Sequence, residues 1–134
     1  DQEVAAFAQR CFDDSVAGHK VHVEVGPAID TLRRLAERCR DTPDLRFDFV
    51  FVDADKPGYR DYVDFLLDGD LLTPRAVIAI DNTLLQGQPY LDGEVSANGA
   101  AIASFNEAVA ADPRVEQVLI PLRDGLTLIR RVQP

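Results

Sequence analysis

Residues 47–59 read FDFVFVDADKPGY, a run of apolar and aromatic residues that stops abruptly at charged ones. The first part, Phe47 to Val52, combines β-branched and aromatic residues over a short length, which is typical of a buried strand. Asp53, Asp55 and Lys56 follow at once, and a Pro-Gly pair then breaks the chain direction. The stretch therefore predicts a strand whose carboxyl end carries two acids and an amine.

A second apolar run, AVIAIDN at residues 76–82, closes in the same way on Asp81 and Asn82. In open α/β sheets, ligands bind outside the carboxyl ends of the strands. If the two strands are neighbours, Asp53 and Asp81 converge there, and two carboxylates in one cleft repel each other unless a cation lies between them. An all-oxygen set suits Mg²⁺, Mn²⁺ or Ca²⁺, whereas the lack of well-placed Cys and His disfavours zinc.

Helical and strand patterns alternate along the chain, which predicts an α/β fold. The sheet is expected to be mostly parallel, with an antiparallel hairpin closing the C-terminus around Asp124-Gly125. We find no repeat or linker and predict a single domain over residues 1–134. The predicted helices are Gln2 to about Val16, a stripe from Ile29 to Cys39, a helix with Tyr62, Phe65 and Leu66 on one side, and Ala101 to Val109; the predicted strands are KVHVEV (20–25), Phe47 to Val52, Ala76 to Ile80, VEQVLIPL (115–122) and LTLIRRV (126–132).

Composition excludes several classes of function. The chain has 134 residues, is 46% hydrophobic and carries a formal net charge of −9, which disfavours nucleic-acid and anionic-membrane surfaces because both attract basic proteins. No apolar run approaches the roughly 20 residues of a membrane helix. Cys11 and Cys39 share no metal or redox spacing, so we interpret them as small buried residues of a cytoplasmic protein. Methionine is absent, and we therefore expect a processed or incompletely represented product.

Four segments closely resemble the cation-dependent, S-adenosylmethionine-using O-methyltransferases of the catechol and caffeoyl-CoA type. The resemblance runs through essentially the whole chain and corresponds to the C-terminal portion of that family. It implies a Rossmann-like class I methyltransferase sheet of strand order 3-2-1-4-5-7-6, with strands 1 and 2 absent from this chain. The segments are GPAIDTL (26–32), FDFVFVDADKPGYRDY (47–62), AVIAIDNTLLQG (76–87) and DPRVEQVLIPLRDGLTLIRR (112–131).

The resemblance also implies roles for the residues at the strand ends. Asp53, Asp81 and Asn82 would hold a divalent ion, Mg²⁺ or else Mn²⁺ or Ca²⁺. Lys56 would be the catalytic base that helps to deprotonate a substrate hydroxyl. Such an ion lowers the pKa of a bound hydroxyl and orients it, which would make the oxygen a nucleophile near neutral pH.

Three further positions follow from the same resemblance. Ala28 would lie against the adenine side of S-adenosylmethionine, and Asp55 near its methionine end, with Asp53 also counted among the cofactor-binding residues. Gln86 stands where plant caffeoyl-CoA enzymes carry an asparagine that touches substrate. That departure favours a different phenolic acceptor over an acyl-CoA ester. The irregular segment from Thr83 to Asn98 is expected to shape the acceptor pocket.

The resulting hypothesis is metal-dependent methyl transfer from S-adenosylmethionine to a hydroxyl of a catechol-like or other vicinal-hydroxy phenolic molecule. We expect no nucleic-acid or membrane partner, and a homodimer is left open. Two alternatives remain. A DxD motif after a strand also occurs in metal-dependent glycosyltransferases, but that class does not explain Asp81, Asn82 and Lys56. Haloacid-dehalogenase-type phosphatases likewise begin with Asp-x-Asp after a strand, but they usually carry Thr or Val where this chain has Pro57. The other alternative is a non-catalytic metal-binding or interaction module.

Overall fold

The structure is a computed structural model that describes residues 1–132, and its chain divides into two compact units between Leu35 and Ala36. In the first unit, helix α1 spans Gln2–Asp13. The side chain of Asp1 caps it by accepting hydrogen bonds from the backbone N–H groups of Glu3 and Val4, at 2.7 and 3.3 Å. The predicted extension to about Val16 is wrong, because a turn begins after Asp13.

The predicted strand KVHVEV is also wrong. A short 3-10 helix covers Gly18–Lys20, and residues 21–25 have no regular secondary structure. Alternating β-branched residues indicate only a propensity, whereas a strand also needs a neighbour to pair its backbone groups. The described sheet contains no ladder with these residues. Helix α2, Ala28–Asp41, begins after the predicted Gly26-Pro27 turn, where Gly26 has a positive φ of 149°.

The second unit contains a four-stranded sheet in the order β1-β2-β4-β3. The parallel pair β1·β2 and the antiparallel pairs β2·β4 and β4·β3 mean that three strands run in one direction and β4 in the other. The α/β class and the C-terminal antiparallel hairpin are therefore confirmed. The elements are β1 Phe47–Val52, α3 Tyr59–Asp68, β2 Leu72–Asp81, α4 Ala97–Ala110, β3 Val115–Ile120 and β4 Leu126–Arg131.

Strand β2 is longer than the predicted Ala76 to Ile80, because it also includes the residues from Leu72 through Pro74 and Arg75. The strand begins at Leu72, opposite Phe47, and the register then shifts so that Phe49 pairs with Val77. A bulge of this kind accommodates a proline within a strand. At the other end, Asp81 is the last residue of β2 rather than the first residue after it.

One face of the sheet forms the core with α3 and α4. Val52, Ile78 and Ile80 on this face are at most 8% exposed, and Phe105 of α4 is 2% exposed. The Tyr59 ring at the start of α3 packs edge-on against Phe105, with 5.6 Å between the ring centroids. This packing fixes the start of α3 against the sheet, beside the carboxyl ends of β1 and β2.

Three sequence predictions can be compared briefly with the described residues. Cys39 is buried as expected, but Cys11 is exposed, and both thiols are free. None of the helices described between residues 1 and 132 is both long enough and apolar enough to cross a membrane. A single, incomplete domain over residues 1–134 remains a prediction.

Candidate functional site

The carboxyl ends of β1 and β2 lie side by side, as the two sequence runs predict. The parallel register pairs Val52 with Ile80, so Asp53 and Asp81 are the next residues along the two neighbouring strands. Asn82 follows in the left-handed region, with φ of 59°, and its backbone N–H donates to the Asp81 Oδ1 atom at 2.7 Å. This turn directs the chain away from the sheet immediately beyond the strand end.

The Lys56 ammonium group joins the two strand ends. Its Nζ atom donates to Asn82 Oδ1 at 2.8 Å, to Asp53 Oδ1 at 3.3 Å and to the Tyr59 hydroxyl at 2.5 Å. The Lys56 side chain is 13% exposed, whereas that of Asp53 is 54% exposed. The structure thus brings together Lys56, Asp53 and Asn82, which the sequence predicts as base and ligands.

Tyr59 contacts both Lys56 and the end of β2 from the buried side of the cluster. The sequence analysis did not predict it as a site residue. It is 0% exposed. Its hydroxyl donates to the backbone carbonyl of Asp81 at 3.0 Å while it accepts from Lys56. Its place three residues after Lys56 is the only sequence signal, because a tyrosine at the start of a helix is ordinarily a packing residue.

The electrostatics of the cluster favour a neutral phenol and a charged amine. Burial raises the pKa of Tyr59, although the hydrogen bond from Lys56 opposes the shift. Burial by itself lowers the pKa of Lys56, but its hydrogen bonds to Tyr59 and then Asp53 outweigh this and raise the pKa above its usual value. Near neutral pH, with these contacts in place, Lys56 therefore carries a proton and acts as a cation among oxygen atoms.

Asp55 points to a different partner from Asp53. Its Oδ1 atom accepts from the Tyr62 hydroxyl at 2.7 Å, and this hydrogen bond, followed by burial, raises the pKa of Tyr62 to about 12. Gly58 leaves room for the pair, because a Cβ there would lie 2.7 Å from Asp55 Oδ2 and 2.8 Å from the Tyr62 ring. Ala28, the other predicted cofactor contact, is the first residue of α2 and belongs to the first unit.

The segment after Asn82 is tied to the β3–β4 hairpin. Asp124 accepts through its carbonyl oxygen from the N–H groups of Leu84 and Leu85, at 2.8 and 3.3 Å. Its Oδ1 atom accepts from the N–H of Gln86 at 2.5 Å. Gln86, the predicted substrate residue, is exposed and has φ of 55°. Asp124 was predicted only as a turn residue, and these long-range contacts leave no local sequence signal.

An open cleft of about 590 Å³ lies at this edge of the sheet. Across residues 1–132, no three or more His, Cys, Asp and Glu side chains group as a metal site. The predicted ligand set differs in kind, because it has two carboxylates and takes its third oxygen from an amide. The cleft is lined by Phe51, Asp81, Asn82, Leu122, Arg123, Asp124 and Leu126.

Comparison with known proteins identifies the family. A sequence profile described as O-methyltransferase matches residues 1–132. The chain belongs to the O-methyltransferase family. Among relatives in this family, the caffeoyl-CoA O-methyltransferase of Mesembryanthemum crystallinum is 38% identical over 120 residues, which cover 85% of this chain and 46% of the relative. The chain spans about half the length of the curated relatives that it matches.

Solved O-methyltransferase-family structures share the fold. The SAH-bound methyltransferase PaMTH1 of Podospora anserina is 30% identical with a TM-score of 0.82, covering 99% of this chain and 58% of that one. The O-methyltransferase TomG of Streptomyces achromogenes, solved in complex with SAM, is 29% identical with a TM-score of 0.82, covering 99% and 59%. These similarities confirm the family resemblance and the Rossmann-like methyltransferase fold that the sequence motifs imply.

Proposed function

We propose that the protein transfers a methyl group from S-adenosylmethionine to a hydroxyl of a catechol-like or other vicinal-hydroxy phenolic molecule, and that it requires a divalent cation. The observation that carries the proposal is the Lys56 ammonium held between Asp53 and Asn82 at two adjacent strand ends. Family membership supports methyl transfer, and solved relatives with bound SAM or SAH support the cofactor. Cytoplasmic location, a small-molecule acceptor without nucleic-acid or membrane partners, and a homodimer remain predictions.

The oxygen atoms at the strand ends fit a hard cation. Asp53 and Asn82 already bind one positive group, the Lys56 ammonium, through carboxylate and amide oxygens. Asp81 adds a second carboxylate at the end of β2. We propose that these three residues hold Mg²⁺, or Mn²⁺ or Ca²⁺, because all three ions prefer oxygen ligands. When bound, such an ion would lower the pKa of a chelated hydroxyl and fix its orientation.

Lys56 is the residue that we propose to take the proton from the acceptor hydroxyl. Its contacts to Asp53 and Tyr59 favour the charged ammonium, which cannot accept a proton. When Asp53 and Asn82 serve as ligands, their oxygens no longer stabilise that charge, Tyr59 is left as the partner of Lys56, and burial opposes the charge more effectively. The base role therefore depends on whether the strand-end oxygens are engaged elsewhere.

Asp55 and Gln86 are the proposed contacts to the two reactants. Tyr62 fixes the Asp55 carboxylate, which we propose faces the methionine end of the cofactor. The adenine contact of Ala28 stays a prediction from the family resemblance. Gln86 presents an exposed side chain beyond the strand end. An amide longer than asparagine at this position supports a phenolic acceptor of different shape from caffeoyl-CoA.

The test uses the full-length protein, labelled S-adenosylmethionine and catechol as acceptor. We expect chelation to abolish methyl transfer, added Mg²⁺ to restore it, and Asp81→Ala to reduce it roughly 100-fold or more. Asp44→Ala is the matched control, because this exposed carboxylate precedes β1 at the opposite end of the strand. Cofactor binding by calorimetry accompanies each assay.

Three outcomes contradict different parts of the proposal. Methyl transfer that chelation leaves unchanged rejects the metal requirement. Full activity in Asp81→Ala rejects the site assignment. Binding of S-adenosylmethionine without transfer to catechol or to other vicinal-hydroxy phenols rejects the proposed reaction and favours a non-catalytic module.

A further inference from the structure

We infer that Asp124 is a positioning residue for the methyl acceptor, acting through the backbone of residues 82–87. The consequence for acceptor binding rests on the proposed function, whereas the positioning itself rests on geometry. Asp124 lies in the turn of the β3–β4 hairpin, more than thirty residues after the segment that it holds. Its contacts therefore connect two loops that the sheet brings to one edge.

The contacts of Asp124 divide between its backbone and its side chain. The carbonyl oxygen accepts from Leu84 and Leu85, and the carboxylate accepts from Gln86 at 2.5 Å. Three successive backbone N–H groups thus have one residue as their acceptor. A hydrogen bond to a carboxylate is stronger than one to a neutral oxygen. The bond from Gln86 N–H to the Asp124 side chain is therefore expected to be the strongest of the three.

The segment needs such restraint because its backbone is strained. Asn82, Leu85 and Gln86 have φ values of 59°, 40° and 55°. Each non-glycine residue in this region costs on the order of 1–2 kcal/mol, and such residues persist only where the surroundings impose them. Without the acceptor on Asp124, we expect Gln86 to leave this conformation before its neighbours do.

Two other residues of the hairpin, Gly125 and Thr127, also contact the start of this segment. The carbonyl of Gly125 accepts from Thr83 N–H at 3.2 Å, and the buried hydroxyls of Thr83 and Thr127 are 2.9 Å apart. A Cβ at Gly125 would lie 2.6 Å from the Leu84 nitrogen. Thr83 is therefore fixed by its neighbours, whereas Gln86 depends on the Asp124 side chain.

The position of Asp124 relates this backbone contact to the reaction. Asp124 lines the same open cleft as Asp81 and Asn82, the proposed ligands. An acceptor bound beside those ligands would lie next to the segment 82–87, which the Asp124 carboxylate holds through the N–H of Gln86. Removal of the carboxylate should therefore weaken acceptor binding more than cofactor binding.

The experiment compares Asp124→Ala with Asp124→Asn in the full-length protein. Asparagine keeps an oxygen acceptor for Gln86 N–H, and alanine does not. We expect the alanine variant to raise the KM for catechol about tenfold, which corresponds to the loss of one charged hydrogen bond. The KM for S-adenosylmethionine should stay within about twofold, and the asparagine variant should retain most of the acceptor affinity.

Amide hydrogen exchange provides a second readout that is independent of activity. In Asp124→Ala the Gln86 amide should exchange faster, while the Leu84 amide keeps its protection because its acceptor is the main-chain carbonyl. If the alanine variant does not fold, Asp124→Glu replaces it, since the extra methylene displaces the carboxylate. Asp44→Ala again serves as the control.

The results separate this inference from the proposed function. Unchanged Gln86 exchange in Asp124→Ala overturns the positioning role, whatever the activity. Faster exchange with an unchanged acceptor KM overturns the link to the acceptor, as does an equal loss of cofactor and acceptor affinity. If the unmodified protein methylates no phenol, the proposed function fails, and the exchange result still decides the positioning role.

Discussion

Lys56 and Arg114, both in the second unit, each donate hydrogen bonds to several oxygen atoms, but the geometry of these hydrogen bonds differs. The Arg114 guanidinium holds Asp112 through its Nε and Nη2 atoms, at 3.0 and 2.7 Å, and reaches Asp64 and Asp68 at 2.6 Å each. Its planar fork matches the carboxylates and fixes the turn after α4 against α3. These contacts identify a structural cluster.

Lys56 is a point charge that lies among three different kinds of oxygen: the carboxylate of Asp53, the amide of Asn82 and the phenol of Tyr59. An ammonium group imposes little directional geometry, which is compatible with our proposal that a metal cation binds the same oxygens of Asp53 and Asn82. The two clusters therefore differ in the geometry of their hydrogen bonds rather than in the number of charges. The fork of Arg114 suits a structural role, and the point charge of Lys56 suits the site that we propose to bind a cation. The following predictions test this difference.

The largest effect is expected at Lys56. Lys56→Ala in the full-length protein should lower kcat for methyl transfer by about 100-fold, the contribution of a general base. Lys56→Arg should be equally impaired, because guanidinium keeps the charge but cannot serve as a base near neutral pH. An active Lys56→Arg variant would mean that the position supplies only positive charge.

The next effect should appear in stability rather than activity. Arg114→Ala leaves Asp112, whose side chain is 7% exposed, without its main partner. We expect the free energy of unfolding to fall by about 2 kcal/mol in urea titrations. The matched control is Arg130→Ala, because Arg130 and Glu116 are 61% and 54% exposed and such pairs contribute under about 1 kcal/mol. Equal losses in the two variants would remove the distinction between the clusters.

A smaller effect on both properties is expected at Tyr59. Tyr59→Phe deletes the hydroxyl that binds Lys56 and the Asp81 carbonyl, and should destabilise the fold by about 1 kcal/mol. It should also lower kcat several-fold, because the Lys56 side chain loses one of the three contacts that fix its position. The control for stability is Tyr62→Phe, which removes a hydroxyl from Asp55 but leaves Lys56 untouched. A kcat in Tyr59→Phe equal to that of the unmodified protein would show that Lys56 does not need its hydrogen bond to the Tyr59 hydroxyl.

The smallest effect concerns acid stability of the Arg114 cluster. The hydrogen bond from Arg114 lowers the pKa of Asp112 from 3.8 to about 2, although burial opposes this. A depressed carboxyl pKa stabilises the folded state above the unfolded value and is lost as pH falls through the folded one, so the contribution should disappear between pH 3.8 and about 2. The free energy of unfolding of the unmodified protein should therefore fall across this pH window, and in Asp112→Asn this part of the fall should be absent. Parallel plots of unfolding free energy against pH for the two proteins would contradict the assignment.

Much of the fold could be predicted from local pattern. β1 begins and ends where its apolar run does, and the Asp124-Gly125 signal correctly placed the hairpin. Two errors have the same physical origin. The residues of KVHVEV have strand propensity but no neighbouring strand in the described sheet, and Pro74 lies within β2 because a bulge accommodates it. Pairing between distant segments decided both, and no local pattern contains that information.

The candidate site divides in the same way. The proximity of Asp53, Asp81 and Asn82 was predictable, because polar residues that end two apolar runs must meet if the strands are parallel neighbours. The sequence by itself thus determined the family, the α/β class and the chemistry available at the strand ends. Only the tertiary structure placed Tyr59 beneath Lys56 and Asp124 against Gln86, because each contact depends on how a helix or hairpin packs against the sheet.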